Sequence, residues 1–260
     1  MQTIAVINQK GGVGKTTTAV NMGHALALRG KRVMLIDLDP QGHMAPCLGV
    51  FRAPRDGVDQ ALLHGRSLGD VSIATRELLQ LVPAGDSLGE VERLQGGMER
   101  GRLLGEAIKR SEPDVDYVLF DCPPSAGLLV MNAVLAAGHV LIPVAGDYLS
   151  LTGLAHLMTT LRRVEGLREQ PLHKHVFMSR YVPRRRLSRE VLDKVMHYFP
   201  QHLMPTSIRE AAVLAECAGA GRTIFEYRGK SKSADEFRTL ADDFLHARVI
   251  SDEQQASHVA

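Results

Sequence analysis

Thr3-Ile4-Ala5-Val6-Ile7 runs through Asn8-Gln9-Lys10 into Gly11-Gly12-Val13-Gly14-Lys15-Thr16-Thr17, and the reading of these residues decides the fold. Thr3 apart, the first five are apolar, and all are β-branched or small, the mark of a strand covered on both faces. Beyond the glycines, Ala19, Met22, Gly23, Leu26 and Ala27 recur at helical spacing, and Gly30 closes that run. A strand, a glycine loop, Lys-Thr and a helix in this order make a cradle for phosphate. Backbone N–H groups of Gly12 to Thr16 can point into one concavity, where the helix N-terminus adds partial positive charge and the glycines permit close approach. Against the general pattern GxxxxGK[ST], Gln9 stands at the first glycine position, while Gly14-Lys15-Thr16 match the end. In such a loop Lys15 reaches the β- and γ-phosphates, the Thr16 hydroxyl ligates Mg²⁺, and Thr17 adds a hydroxyl toward the α-phosphate.

Working outward, the same alternation repeats. Val33-Met34-Leu35-Ile36, Tyr117-Val118-Leu119-Phe120, Val140-Leu141-Ile142-Pro143-Val144 and His175-Val176-Phe177-Met178 read as further strands. Leu128 to Ala137 reads as a helix, Ser188 as the start of another reaching about Tyr198, and 233–247 as an amphipathic helix with Phe237, Leu240, Ala241 and Phe244 on one face. Nearly continuous apolar strands separated by helices predict an α/β fold, a doubly wound, mainly parallel sheet flanked by helices. Residues 52–97 are less regular and are expected to be surface structure on the same domain. A single domain over 1–250 and a polar tail over 251–260 are expected.

The composition excludes several classes. Of 260 residues, 45% are hydrophobic and 23% charged, as in an ordinary globular protein, with no apolar run near the ~20 residues of a membrane span. Trp is absent and aromatics are 5%, which argues against a base-stacking platform. Cys47, Cys122 and Cys217 lie far apart without a CxxC, which fits a reducing cytoplasm, and no secretory signal is visible. The net charge of +2 hides an asymmetry, because residues 160–234 carry 15 basic and 7 acidic side chains. Such a stretch either draws polyanions or solvates helix faces.

Two carboxylate segments complete the pattern. Ile36-Asp37-Leu38-Asp39-Pro40-Gln41-Gly42 delivers Asp37 to the carboxyl edge of the sheet, where doubly wound folds bind ligands, with Asp39 two residues on. Val118-Leu119-Phe120-Asp121-Cys122-Pro123-Pro124 carries one carboxylate through the core, and the prolines end the strand. Cys122 reads as a small core residue.

Lys10 precedes the glycines as a second lysine, and Lys10-Gly11-Gly12-Val13-Gly14-Lys15-Thr16 resembles the deviant Walker A signature of the ParA/MinD family of P-loop ATPases. Residues 36–42 look like that family's switch I and 118–124 like its Walker B. The resemblance implies the P-loop NTPase fold and an ATPase using ATP and Mg²⁺. It implies that Lys10 reaches across a sandwich homodimer to the partner's phosphates, that Asp39 orients the attacking water, and that Asp37 and Asp121 organise Mg²⁺ with Thr16. The residues alone leave open a lysine that serves its own subunit. Gly11 to Thr17 would hold the phosphates, and Arg180 and Arg209 lie where the family builds its adenine pocket. The three asparagines fall outside any Asn-Lys-x-Asp segment, which favours ATP over GTP.

Leu187-Ser188-Arg189-Glu190-Val191 and the run from Gly221 to Phe237 resemble the DNA-binding ParA branch. Arg222, Arg228, Lys230 and Lys232 are the expected phosphate contacts on DNA, with Arg184, Arg185 and Arg186 as alternatives. The resemblance implies nonspecific binding to the nucleoid in the cytoplasm. It also implies a ParB-like or cargo-adaptor partner that stimulates slow hydrolysis, and a cargo such as a plasmid, a chromosome or a protein assembly. The acidic, then polar, C-terminus lacks the basic amphipathic membrane helix of MinD, so no membrane partner is expected. A MinD- or flagellar-regulator-like ATPase acting through protein or membrane partners without DNA is the alternative.

Overall fold

The computed structural model describes residues 1–94 and 98–250, so the expected tail lies outside the described residues. The strands are β1 (Gln2–Val6), β2 (Val33–Asp37), β3 (Ile73–Arg76), β4 (Leu79–Val82), β5 (Tyr117–Asp121), β6 (His139–Ala145) and β7 (His173–Ser179). They form one sheet in the order β3-β4-β2-β5-β1-β6-β7, parallel throughout except for β3 against β4. The helices are α1 (Lys15–Ala27), α2 (Met44–Cys47), α3 (Val58–Leu63), α4 (Leu88–Val91), α5 (Leu103–Ser111), α6 (Leu128–Ala136), α7 (Tyr148–Glu165), α8 (Arg186–Tyr198), α9 (Ala212–Gly219), α10 (Ile224–Arg228) and α11 (Lys232–Leu245).

Strand periodicity divides the core in two. Ala5, Met34, Ile36, Val118, Phe120, Val140, Ile142 and Val176 face α3 to α8. Ile4, Val6, Val33, Leu35, Leu119, Leu141 and Phe177 face α1, α2 and α9 to α11. Because both faces are covered, both residue sets of each strand are apolar, which is why the strands read as continuous runs. The apolar face of α11, with Phe237, Leu240, Ala241 and Phe244, belongs to the second of these cores. No helix among the described residues is long and apolar enough to cross a membrane.

Two expectations change, and one long helix had gone unread. Residues 52–97 are not surface structure alone: β4 is a parallel strand of the main sheet beside β2, with Leu79, Leu81 and Val82 fully buried. Its four residues include the exposed Gln80, too short and too mixed for periodicity to reveal. The helix read from Ser188 begins at Arg186; Ser188 is buried in its first turn, where its hydroxyl donates to Gly146 O. The long helix α7 was not anticipated, although Leu154, Leu157, Met158, Leu161 and Val164 bury one of its faces.

Candidate nucleotide-binding site

Sheet order puts β1 between β5 and β6, so the loop after β1 opens at the carboxyl edge between two crossovers that run to opposite faces. The loop turns on Gly12 and Gly14, whose φ values of 73° and 90° lie in the left-handed region. The ladder of α1 begins with Thr18 N–H donating to Gly14 O at 2.8 Å, leaving the amides ahead of it to face a ligand. Three loop carbonyls are engaged within the protein. Ser179 Oγ donates to Val13 O at 2.8 Å, Arg180 Nη1 to Gly12 O at 3.0 Å, and Lys15 Nζ to Lys10 O at 3.1 Å. With these carbonyls already engaged by protein donors, the loop's remaining backbone groups are mainly N–H groups, the polarity an anion needs. Asn8 pins the loop's start, donating through Nδ2 to Pro143 O and accepting from Lys10 N–H.

Lys15 is buried, and burial pulls its pKa below the ordinary lysine value, while Asp121, Cys122 and Asp39 oppose the shift. Asp37 and Asp121 are register partners on β2 and β5. Asp37 is fully buried; its oxygens accept the Asp39 and Met44 N–H groups at 3.0 Å each. Burial raises its pKa to about 7 against the pull of those two bonds. Asp121 is enclosed with neither oxygen in a formed hydrogen bond. Burial, then Asp37, pushes its pKa well above the usual carboxylate range, with Thr16 and Lys15 pulling less strongly downward. An orphaned buried carboxylate beside a second carboxylate and a threonine hydroxyl is an all-oxygen donor set, and it fits a hydrated Mg²⁺, which supplies the missing partners. Asp39 is half-buried on the turn beyond, its Oδ1 accepting from Gln41 N–H at 3.0 Å. Burial raises the Cys122 pKa well above the usual thiol range, so it is a core thiol.

Lys10 turns onto the rim. Its Nζ donates to both oxygens of Asp147 at 2.6 Å and to Ser150 Oγ at 3.1 Å. Asp147 is the N-cap of α7, accepting from Ser150 N–H. This partner was missed in the sequence; an Asp between an apolar strand and a helical leucine repeat was the available signal. A cavity of about 180 Å³ is lined by Lys10, Gly11, Gly12, Val13, Asp147 and Arg180, among others.

The two expected adenine-side arginines part company. Arg180 lies over the loop, its guanidinium shared between Gly12 O and Glu210 Oε1 and its backbone held at φ 46°. Arg209 turns away, its Nε 3.4 Å from Glu236 Oε1. Of the alternative basic residues, Arg185 lines the cavity beside Lys10, Arg186 is tied to Glu190 at 2.7 Å, and Arg184 is exposed. Arg222, Arg228, Lys230 and Lys232 are exposed on or beside α10 and at the start of α11.

The model of a family described as an AAA domain matches residues 1–174. The sporulation initiation inhibitor protein Soj of Bacillus subtilis is 37% identical over 244 residues, 92% of this chain and 96% of its own length. The chain belongs to the ParA/MinD family of P-loop ATPases. The chromosome-partitioning ATPase Soj of Treponema pallidum, another member, is 34% identical over 94% of this chain and 97% of its own. The structure of cobyrinic acid a,c-diamide synthase from Mycobacterium smegmatis, bound to an ATP analogue and magnesium, superposes with a TM-score of 0.79. It is 31% identical, covering 95% of each chain. This member of the family is an ATPase whose nucleotide is ATP with Mg²⁺.

Proposed function

We propose that the chain is a ParA-type positioning ATPase. ATP with Mg²⁺ closes two copies face to face; the dimer holds DNA without sequence preference, and hydrolysis releases it. The observation that carries this reading is the orientation of Lys10. Lys15 already serves its own loop, whereas Lys10 leaves the cradle for Asp147, half-exposed on the rim, and for the buried Ser150 hydroxyl. A rim ammonium is available to a triphosphate held by a facing copy. When bound, the cation neutralises charge on the transferring phosphate. Asp37 and Asp121 would hold it with Thr16, and Asp39, on the turn beyond, would orient the attacking water.

Arg222, Arg228, Lys230 and Lys232 supply an exposed cationic strip that phosphates can meet, and two copies side by side would double it. Nucleotide that favours the dimer thereby favours DNA, which is linkage between two binding equilibria. A ParB-like protein or cargo adaptor would complete the site across the dimer and accelerate hydrolysis. The cargo would be a plasmid, a chromosome, or an assembly such as a carboxysome or chemoreceptor cluster.

Co-sedimentation with duplex DNA tests the reading. Retention is expected with Mg·ATP, to fall without nucleotide, and to weaken as salt rises by roughly 0.9 in the log–log slope per neutralised phosphate. Retention that is absent or indifferent to ATP favours a regulator that acts through protein partners alone.

A further inference from the structure

Arg76, at the end of the edge strand β3, was given no role by the sequence. Its side chain is 13% exposed and all three guanidinium nitrogens donate hydrogen bonds. Nε donates to Glu226 Oε1 at 3.0 Å and Nη2 to Glu226 Oε2 at 2.9 Å, a two-pronged carboxylate pair. Nη1 donates to Leu48 O at 2.7 Å and Nη2 also to Gly221 O at 3.2 Å. One planar group therefore ties together two segments that are distant in sequence, the end of α2 and residues 221–226.

Each segment leads somewhere. Leu48 ends α2, whose first residue Met44 donates its N–H to Asp37. Gly221 immediately precedes Arg222, and Glu226 lies on α10, which ends at Arg228. The two segments also touch directly. A Cβ on Gly221 would come within 2.7 Å of Gly49 Cα, and one on Gly49 within 3.0 Å of Gly221 O. Glu226 also accepts from Thr223 N–H, closing a capping box on α10, and the Thr223 hydroxyl lies 2.7 Å from His24 Nδ1 on α1. Asn21 of α1 accepts from Ile224 N–H at 2.8 Å and donates to Thr17 O. Two struts thus run from the phosphate cradle to the basic segment. The one along α1 is a rigid helix. The other passes from Asp37 through α2 and is held by Arg76 together with the Gly49–Gly221 contact.

We propose that Arg76 is a positioning residue that transmits the state of the Asp37–Gly49 segment to Arg222, Arg228 and Lys230, so that their placement depends on nucleotide. The proposal rests on the DNA-binding reading above and names the residue through which ATP acts on that surface. A shift of Asp37 toward a bound cation moves Met44 and α2, and the guanidinium carries Gly221 and α10 with it. Arg76 touches neither nucleotide nor DNA, so its loss should spare both contacts and remove the dependence of one on the other.

The test uses the full chain, a duplex of mixed sequence, and Mg·ATPγS against Mg·ADP. In the parent, DNA affinity rises with Mg·ATPγS, and amides of 44–49 and 222–228 both change their hydrogen-exchange protection. In Arg76→Gln, binding of Mg·ATPγS is expected to stay within about twofold of the parent and protection at 44–49 to respond as before. The DNA-affinity ratio between the two nucleotides is expected to collapse to within about twofold of one, and 222–228 to stop responding. Arg76→Lys, which keeps the charge but not the planar fork, should behave the same way and serves if the glutamine variant fails to fold. A variant that keeps both the parent's ratio and the response at 222–228 overturns the proposal. If the parent's 222–228 amides ignore nucleotide altogether, the proposal also fails. If they respond through Arg76 although the parent binds no DNA, the coupling stands and the DNA reading falls.

Discussion

The phosphate cradle and the basic strip are both built from cations, yet they are constructed in opposite ways. In the cradle, Lys15 is 7% exposed, bonded to a loop carbonyl and set against buried carboxylates. On the strip, Arg222, Arg228, Lys230 and Lys232 are exposed, and none closes an ion pair among the described residues. The difference follows from what each would meet. A nucleotide phosphate has one geometry, so fixed donors in a dry site gain most from it. A DNA backbone offers many equivalent phosphates, so long, solvated side chains suffice and the gain is counterion release.

The largest effect should come from breaking the fixed side. Lys15→Ala is expected to abolish measurable Mg·ATP binding by calorimetry, a loss of more than about a hundredfold, because a buried charge that pairs with phosphate has no substitute there. Lys10→Ala should separate two properties: nucleotide binding within about tenfold of the parent, and no ATP-dependent dimer in sedimentation velocity, since rim charges contribute little in cis. Retained dimerisation would assign Lys10 to its own subunit.

A smaller effect lies in pH. Asp37 is raised to about 7 by burial, so the folded protein holds its proton more tightly than the unfolded chain does. The associated stability is present below the ordinary carboxylate pKa of 3.8 and is lost as pH rises through about 7. The nucleotide-free protein should therefore lose thermal stability between about pH 5 and 8, and Asp37→Asn should lessen that decline, the remainder belonging to the likewise raised Asp121. Mg²⁺ binding should strengthen over the same interval, because it requires the ionised carboxylates. A parent and Asp37→Asn with parallel stability profiles would contradict the assignment. The smallest effects belong to the strip. Arg222→Ala or Lys230→Ala should each reduce the log–log salt slope of DNA binding by roughly 0.9 and leave nucleotide affinity unchanged.

How legible these regions were follows the same divide. Residues 3–17, 33–39 and 117–121 announced themselves because a buried parallel strand leading to a glycine turn or a lone carboxylate leaves few other readings. β4 was hidden by its length, and the edge strand β3 by its mixed burial. Asp147, Ser179 and Arg76 act through contacts more than a hundred residues away in sequence, which no local pattern encodes. The basic strip was visible as a charge excess, but charge counts do not say which side chains stay free. Arg186 and Arg209 proved to be held by Glu190 and Glu236, and Arg185 to sit beside the cradle.

The decisive measurement is the mass in solution of the parent and of Lys10→Ala, with Mg²⁺ and a non-hydrolysable ATP analogue, by sedimentation equilibrium. A dimer for the parent and a monomer for the variant are expected, both having bound the analogue. Monomers in both cases, at protein concentrations well above the nucleotide Kd, would contradict an ATPase that works by closing on its own copy.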